Sequence, residues 1–358
     1  MPPYWAIGVG AGLIGALLFL TAGIGSAILG LPLFFAALPV FLAGLGWGSR
    51  AALLAGVTGF VILSSLSSFT AGLVFLVADG LGPAWLVHLA LLHHVKTAPR
   101  LSPADAARLA RKGADKETPI AEPAAASQES EEPAATEWYP AGPLAVWTAL
   151  IAVGVLVISG LSTMAMGVEG GLEGALRMLL AEDLMEGRAI EAGLQEMGLS
   201  ADPERILSLI VIALPAFVVM AWSLLTLGNM WLAQIILERT GHNLRPTPGL
   251  LDIELPPFLL ALFLAALILS LIPGSAAQLG GAIMIALLVP YFLLGLAVIH
   301  AISRAWTARI AFLGVFYVLL IFTGWLIVPI CLIGLGEPWA NLRARFAQSE
   351  APSGKEIS

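Results

Sequence analysis

Asp79 is the one acid set deep within an apolar stretch, and Gly80-Leu81-Gly82-Pro83 follow it at once. An ionisable side chain inside a membrane is costly and marks a site by default, while two glycines and a proline interrupt helical hydrogen bonding. Together they predict a discontinuous helix whose freed carbonyls and amides stand beside a carboxylate, an arrangement suited to a proton, a cation or a polar solute. The same residues admit a plainer reading, in which Asp79 caps the second half-helix. Neutral ligands for such a site are offered by Ser67 and Ser68, in a run with Ser64, Ser65 and Thr70, and by Asn229. Back-bonding of the hydroxyls to their own helix is the alternative, and Asn229 with Gln234 equally suits a bond between helices.

Other chemistry is excluded by pattern. His88, His93 and His94 are spaced by five and six residues rather than as the i, i+4 pair that converges on zinc, so they read as interfacial histidines and no metal site is expected. The chain contains no HExxH, no GxSxG elbow and no GxxxxGK[ST] phosphate loop. Neither an enzyme nor a cofactor is expected. Cys331, alone and in an apolar run, excludes an intrachain disulfide and a thiolate cluster. The net charge is -7 and the bases sit in short loops rather than on one basic face, so nucleic acid is not an expected partner.

The elements that must position these residues follow from composition. With 59% hydrophobic and 11% charged residues, against about 25% charged in soluble domains, the chain reads as an all-α, polytopic transmembrane helix bundle. A crossing helix needs about 20 mainly apolar residues. Tyr4–Leu29, Leu31–Trp47, Ala51–Phe69 and the interrupted Ala71–His94 give four spans; Ala141–Met166, Ile206–Leu237, Pro257–Ile272 and Leu279–Ile302 give four more. Ile310–Leu335, broken by Gly324 and Pro329, is either a kinked ninth span or a span with a re-entrant return. The expectation is eight to nine spans with one broken helix. Between the fifth and sixth, Gly167–Glu204 repeats leucines at helical spacing among acids and lacks the basic face that favours anionic lipid, which predicts an amphipathic segment on the non-cytoplasmic side.

One long hydrophilic tract, 96–137, divides the apolar halves 1–95 and 138–340, and a polar tail occupies 341–358. Its first part holds Lys96, Arg100, Arg108, Arg111, Lys112 and Lys116; its second holds only acids, and its Pro- and Ala-rich composition predicts a disordered cytoplasmic linker. Lys and Arg mark cytoplasmic loops. With the N-terminus inside, Arg50, the basic cluster, Arg239, Arg245, Arg304 and Arg309 all fall on the cytoplasmic face. The apolar N-terminus lacks a basic n-region and reads as a retained first span rather than a cleaved signal.

The run Leu31-Pro-Leu-Phe-Phe through Trp47-Gly-Ser-Arg50 resembles the opening of the YybS-like family of uncharacterised bacterial membrane proteins. Trp138-Tyr139-Pro140, Asn229-Met-Trp-Leu-Ala233, Arg245-Pro246, Leu255-Pro256 and Gly334-Leu-Gly-Glu-Pro-Trp-Ala-Asn-Leu-Arg343 continue the resemblance, with Glu337 where the family pattern has aspartate. That family is in turn similar to the substrate-binding S components of energy-coupling-factor vitamin transporters, which dock a membrane partner through small residues on their first helix. Gly8, Gly12 and Ala16 give such spacing here, as do Ala11 and Gly15, and suit either a partner or packing within the bundle. Two functions follow. A small-solute binding or transport protein calls for an internal cavity containing Asp79 with Ser67, Ser68 or Asn229. A membrane scaffold or assembly factor, acting through its linker and tail, calls for a bundle without one.

Overall fold

The computed structural model describes residues 3–21, 30–95, 136–186 and 203–349. The expectations for the linker's disorder, the end of the first span, the later part of the amphipathic segment and the end of the tail lie largely outside the described residues. Residues 1–91 and 140–358 form one packed unit and 92–139 a second.

In the first unit, α1 (Tyr4–Leu20) turns Gly8, Ala11, Gly12, Gly15 and Ala16 inward. Gly8 and Gly12 meet α3 (Ser49–Leu66), where a β-carbon added at Gly8 would lie 2.9 Å from the Ala51 carbonyl oxygen, and one added at Gly12 would strike the Ala55 carbonyl. Lipid tails are as apolar as leucine, so helices in a membrane hold together by close backbone approach rather than by hydrophobic drive. Between them α2 (Leu38–Trp47) follows a 3-10 turn at Leu31–Phe35, and Gly48, at φ 100°, allows an immediate turn into α3.

Helix α4 spans Phe69–Ala90 as one continuous element, which corrects the expectation of a broken helix. Its middle, Leu76–Leu81, is a π-helical turn, and Gly82-Pro83 open the α-helical turns that follow. The wider i→i+5 ring absorbs the irregularity, and proline there stands at a helix's first turn, where its missing N–H costs little. The chain breaks one helix earlier, at Ser67, where φ and ψ are -125° and -86°. Gly80 in the π turn and Gly56 in α3 touch, with a β-carbon on Gly56 falling 2.9 Å from the Gly80 Cα.

The remaining helices of this unit are α5 (Ala141–Ala165), α6 (Gly171–Glu186), α7 (Pro203–Thr240), α8 (Phe258–Ser270), α9 (Ser275–Ile302), α10 (Arg309–Thr323), α11 (Ile327–Ala340) and α12 (Leu342–Ser349). Val146, Ala149, Leu259, Leu287 and Tyr291 join α5, α8 and α9 in one core cluster, while Ala152, Leu156, Ala216, Val219 and Ala286 join α5, α7 and α9 in another. Among the described residues five helices are long and apolar enough to cross a membrane: α3, α4, α5, α7 and α9. The pair α10 and α11, bent by 117° at Gly324, makes a sixth if it is one span. Tyr4–Leu20, Leu31–Trp47 and α8 are apolar but shorter. The 13 residues of α8 reach about 20 Å at 1.5 Å per residue, short of the roughly 30 Å hydrocarbon core.

Two arginines tie loops to helix ends, Arg245 buried and Arg343 partly buried. Arg245 Nη1 donates to the Ala90 carbonyl at 2.9 Å, holding the end of α4 to the segment after α7. Burial lowers the pKa of this guanidinium from its ordinary value. Arg343 Nε meets Glu337 Oε1 at 3.1 Å, and its Nη1 donates to the carbonyls of Leu251 and Ile253 at 2.7 and 3.0 Å. The end of α11 is thereby fixed to the connection between α7 and α8.

The second unit contains β1 (His93–Val95) paired antiparallel with β2 (Thr136–Trp138), His94 opposite Glu137. His93 stacks near Trp138 with ring centroids 4.9 Å apart. The sequence reading ran the fourth span to His94; the helix stops at Ala90 and these histidines belong to a strand.

Candidate functional site

The residues nominated from sequence are held by separate parts of the fold. Ser68 is exposed and caps α4, its Oγ accepting from the Ala71 amide at 3.0 Å, and Ser67 is the exposed residue before it. Asp79 lies eleven residues along the same helix from Ser68, about 16 Å away, in the π turn. Beside it, the Ala78 carbonyl accepts from Trp222 Nε1 at 3.2 Å, which ties the π turn to α7. Asn229 is 5% exposed and bridges elements: its Nδ2 donates to the Phe34 carbonyl at 2.8 Å and the Leu225 carbonyl at 2.9 Å. Its Oδ1 is buried with no partner, as is Oε1 of Gln234. Among the described residues no hydrogen bond joins any two of Asp79, Ser67, Ser68 and Asn229. Gly8, Gly12 and Ala16 face α3.

A concavity lies elsewhere. A half-open cavity of about 840 Å³ is bordered by the second half of α5, the start of α6, the first part of α7, Leu269 of α8 and the start of α9. Its walls are mainly apolar, with Leu156, Leu161, Leu176, Val211 and Leu279 among them, and its polar side chains are Glu173 and Gln278. Gln278 Nε2 donates to Glu173 Oε2 at 2.6 Å, so the first turn of α9 is latched to the first turn of α6. Arg177, one helical turn after Glu173, approaches its Oε1 at 3.2 Å and also reaches Ser208 Oγ of α7 at 3.2 Å. Gly167, Gly170 and Gly171, with φ of 74°, 77° and 59°, make the reversal that folds α6 back over the end of α5 and form part of the rim.

A second cavity of about 290 Å³ shares Leu156, Leu172, Leu176 and Pro215 with the first. It extends to Val219, Trp222 and Ala78, the residue before Asp79, and its walls are almost wholly apolar. Neither cavity is lined by Asp79, Ser67, Ser68 or Asn229.

Sequence reasoning took Glu173 and Arg177 only as members of an acid-rich amphipathic segment, and Gln278 only as part of an uncharged turn. The signal that was there is Gln278 itself, an amide at the head of a long apolar helix. Its partner, 105 residues earlier, is not deducible from spacing.

Apolar helices long enough to cross a bilayer, joined through buried backbone contacts around a cavity with few polar groups, define a membrane protein with a small-molecule-sized internal space. The chain belongs to the DUF2232 family of predicted membrane proteins, which matches residues 129–336 and so covers α5 to α10, the larger cavity, all of the smaller one's lining but Ala78, and most of α11. No curated protein and no solved structure matches the chain.

Proposed function

We propose that this protein binds a small solute in the cavity under α6. The observation that carries the reading is the cavity itself, about 840 Å³ with apolar walls and two polar side chains at one end, within the roughly 300–1,000 Å³ of typical ligand sites. A scaffold calls for a bundle without such a space. The resemblance to transporter S components agrees with binding rather than catalysis, and transport of the bound solute is the extension of this reading. Gly160 provides the test, because it lines the cavity and a β-carbon added there meets nothing within 4 Å. Native mass spectrometry of the purified chain is expected to show a retained small molecule that Gly160→Phe excludes without loss of folding. A bare wild-type spectrum, with solute screens that stabilise wild type and variant alike, would sink the reading.

The orientation that suits this function puts the N-terminus, Lys96–Lys116 and Arg239–Arg245 in the cytoplasm of a bacterial cell and α6 on the outer face of its inner membrane, with eight to nine crossings once the shorter helices are counted. The loop charges support it. In a Cys331→Ser background, Glu186→Cys should react with an impermeant thiol reagent from outside intact cells. Reaction only after the cytoplasmic face is opened would reverse the topology.

A further inference from the structure

We propose that the occupant is a single-chain amphiphile with a cationic, hydrogen-bond-donating head, its head on Glu173 and Gln278 and its apolar chain running past Leu172 and Leu176 into the second cavity toward Trp222. This rests on the solute-binding reading and adds the chemical class. Three observations converge on it. The two cavities border the same four apolar residues, Leu156, Leu172, Leu176 and Pro215, so they lie side by side. The polar side chains of the larger cavity meet each other where α6 and α9 begin, and Ser159 in the smaller cavity spends its hydroxyl on the Val155 carbonyl at 2.8 Å. Finally, among the described residues Glu173 is the only charged one lining either space; Arg177, which pairs with it, lines neither.

The head chemistry follows from hydrogen-bond capacity. A carboxylate offers about four lone-pair sites and a primary ammonium three donors. Arg177 and Gln278 are seen to take one oxygen each of Glu173, which leaves sites for an ammonium in a half-buried position. A carboxylate head would instead meet a like charge. The chain chemistry follows from area: each methylene moved from water into an apolar space tightens binding about fourfold, the equivalent of about 0.8 kcal/mol.

The test uses the full chain in lipid nanodiscs and alkylamines of eight and twelve carbons bearing a terminal diazirine, with crosslinks mapped by peptide mass spectrometry. The twelve-carbon amine is expected to label α7 around Val219 and Trp222, and the eight-carbon amine to label only the larger cavity. Glu173→Gln should weaken both amines about ten- to hundredfold, the range for a hydrogen bond to a charged group, and leave the twelve-carbon alcohol unchanged. Ser159→Phe, which fills the second cavity, should remove the long chain's advantage and spare the short one. Should Ser159→Phe misfold, the contrast between the two chain lengths on wild type decides alone. Labelling confined to the larger cavity at both lengths would overturn the chain assignment, and tighter binding of the twelve-carbon carboxylate or of a two-chain phospholipid probe would overturn the head assignment; solute binding would survive either result. Labelling of lipid-facing surfaces only, unaffected by Gly160→Phe, would remove both this inference and the solute reading beneath it.

Discussion

Replacing Gly12 by alanine tests how the first helix is held. A β-carbon there would strike the Ala55 carbonyl oxygen and lie 2.7 Å from Thr58 Cβ, well inside ordinary contact, and the obstacle includes backbone that cannot rotate away. Overpacking of this kind costs about 1–3 kcal/mol, but Gly→Ala in a helix also gains about 1 kcal/mol, so the single variant would show a net effect anywhere from near zero to about 2 kcal/mol. Gly10 separates the terms. It sits on the same helix with nothing within 4 Å of an added β-carbon, so Gly10→Ala carries the helix gain without the clash. The difference between the two variants should therefore be about 1–3 kcal/mol, with Gly12→Ala the less stable. Unfolding in mixed detergent micelles measures it. Equal stability of the two variants, within about 0.5 kcal/mol, would show that α1 does not lie on α3 through Gly12, and would return the small-residue stripe to the surface, where a partner could take it.

Two further perturbations probe the charged groups. Asp79→Asn should leave thermal stability unchanged or raise it, since among the described residues no hydrogen bond reaches the carboxylate and a neutral amide is cheaper than an anion within an apolar helix; a clear fall in the melting temperature would show that the charge has a partner. Arg343→Ala should destabilise the fold by about 1–3 kcal/mol, the cost of taking one partner from a buried polar group, because Glu337 is 4% exposed and accepts from the partly buried Arg343 Nε as well as from the amides of Leu342 and Arg343. Denaturant midpoints would measure it, and a loss below about 1 kcal/mol, as for an exposed pair, would refute the burial.

What the sequence made legible is what depends on composition and local period. Ala141–Met166 was read as a span and the helix runs Ala141–Ala165; the sixth span, read as Ile206–Leu237, runs Pro203–Thr240. Local chemistry misled where more than one backbone solution exists. Gly80, Gly82 and Pro83 are compatible with a break or with a π turn, and the choice was made by Gly56 across the way and by the Trp222 indole on Ala78, neither of them near in sequence. The Glu173 and Gln278 pair was invisible for the same reason. Polar residues at two helix starts carry no mark of each other until α6 folds back at Gly167, Gly170 and Gly171. Arg343 is legible in the sequence only as the end of a motif, and the fold makes it a strut between Glu337 and the carbonyls of Leu251 and Ile253.

The glycines show how a bundle can be tightly packed and yet hollow. At Gly8, Gly12, Gly56, Gly280, Gly295 and Gly334 an added β-carbon would meet another helix's backbone, so the missing side chain is what brings two helices together. At Gly154 and Gly160 on α5, and at Gly167 just beyond it, nothing stands within 4 Å. A helical glycine costs about 1 kcal/mol relative to alanine, and at Gly154 and Gly160 no contact offsets it, whereas Gly167, at φ 74°, serves its turn. Openness alone does not mark a site, because Gly10, Gly228 and Gly314 are equally open and line neither cavity. The difference is that Gly160 and Gly167 border a space that also holds a carboxylate latched to an amide from another helix. Small residues on one side, a held charge on the other and apolar walls between are the conditions under which a cavity in a membrane protein has a use for an occupant. The same glycine that shapes the space is therefore the one whose enlargement should close it.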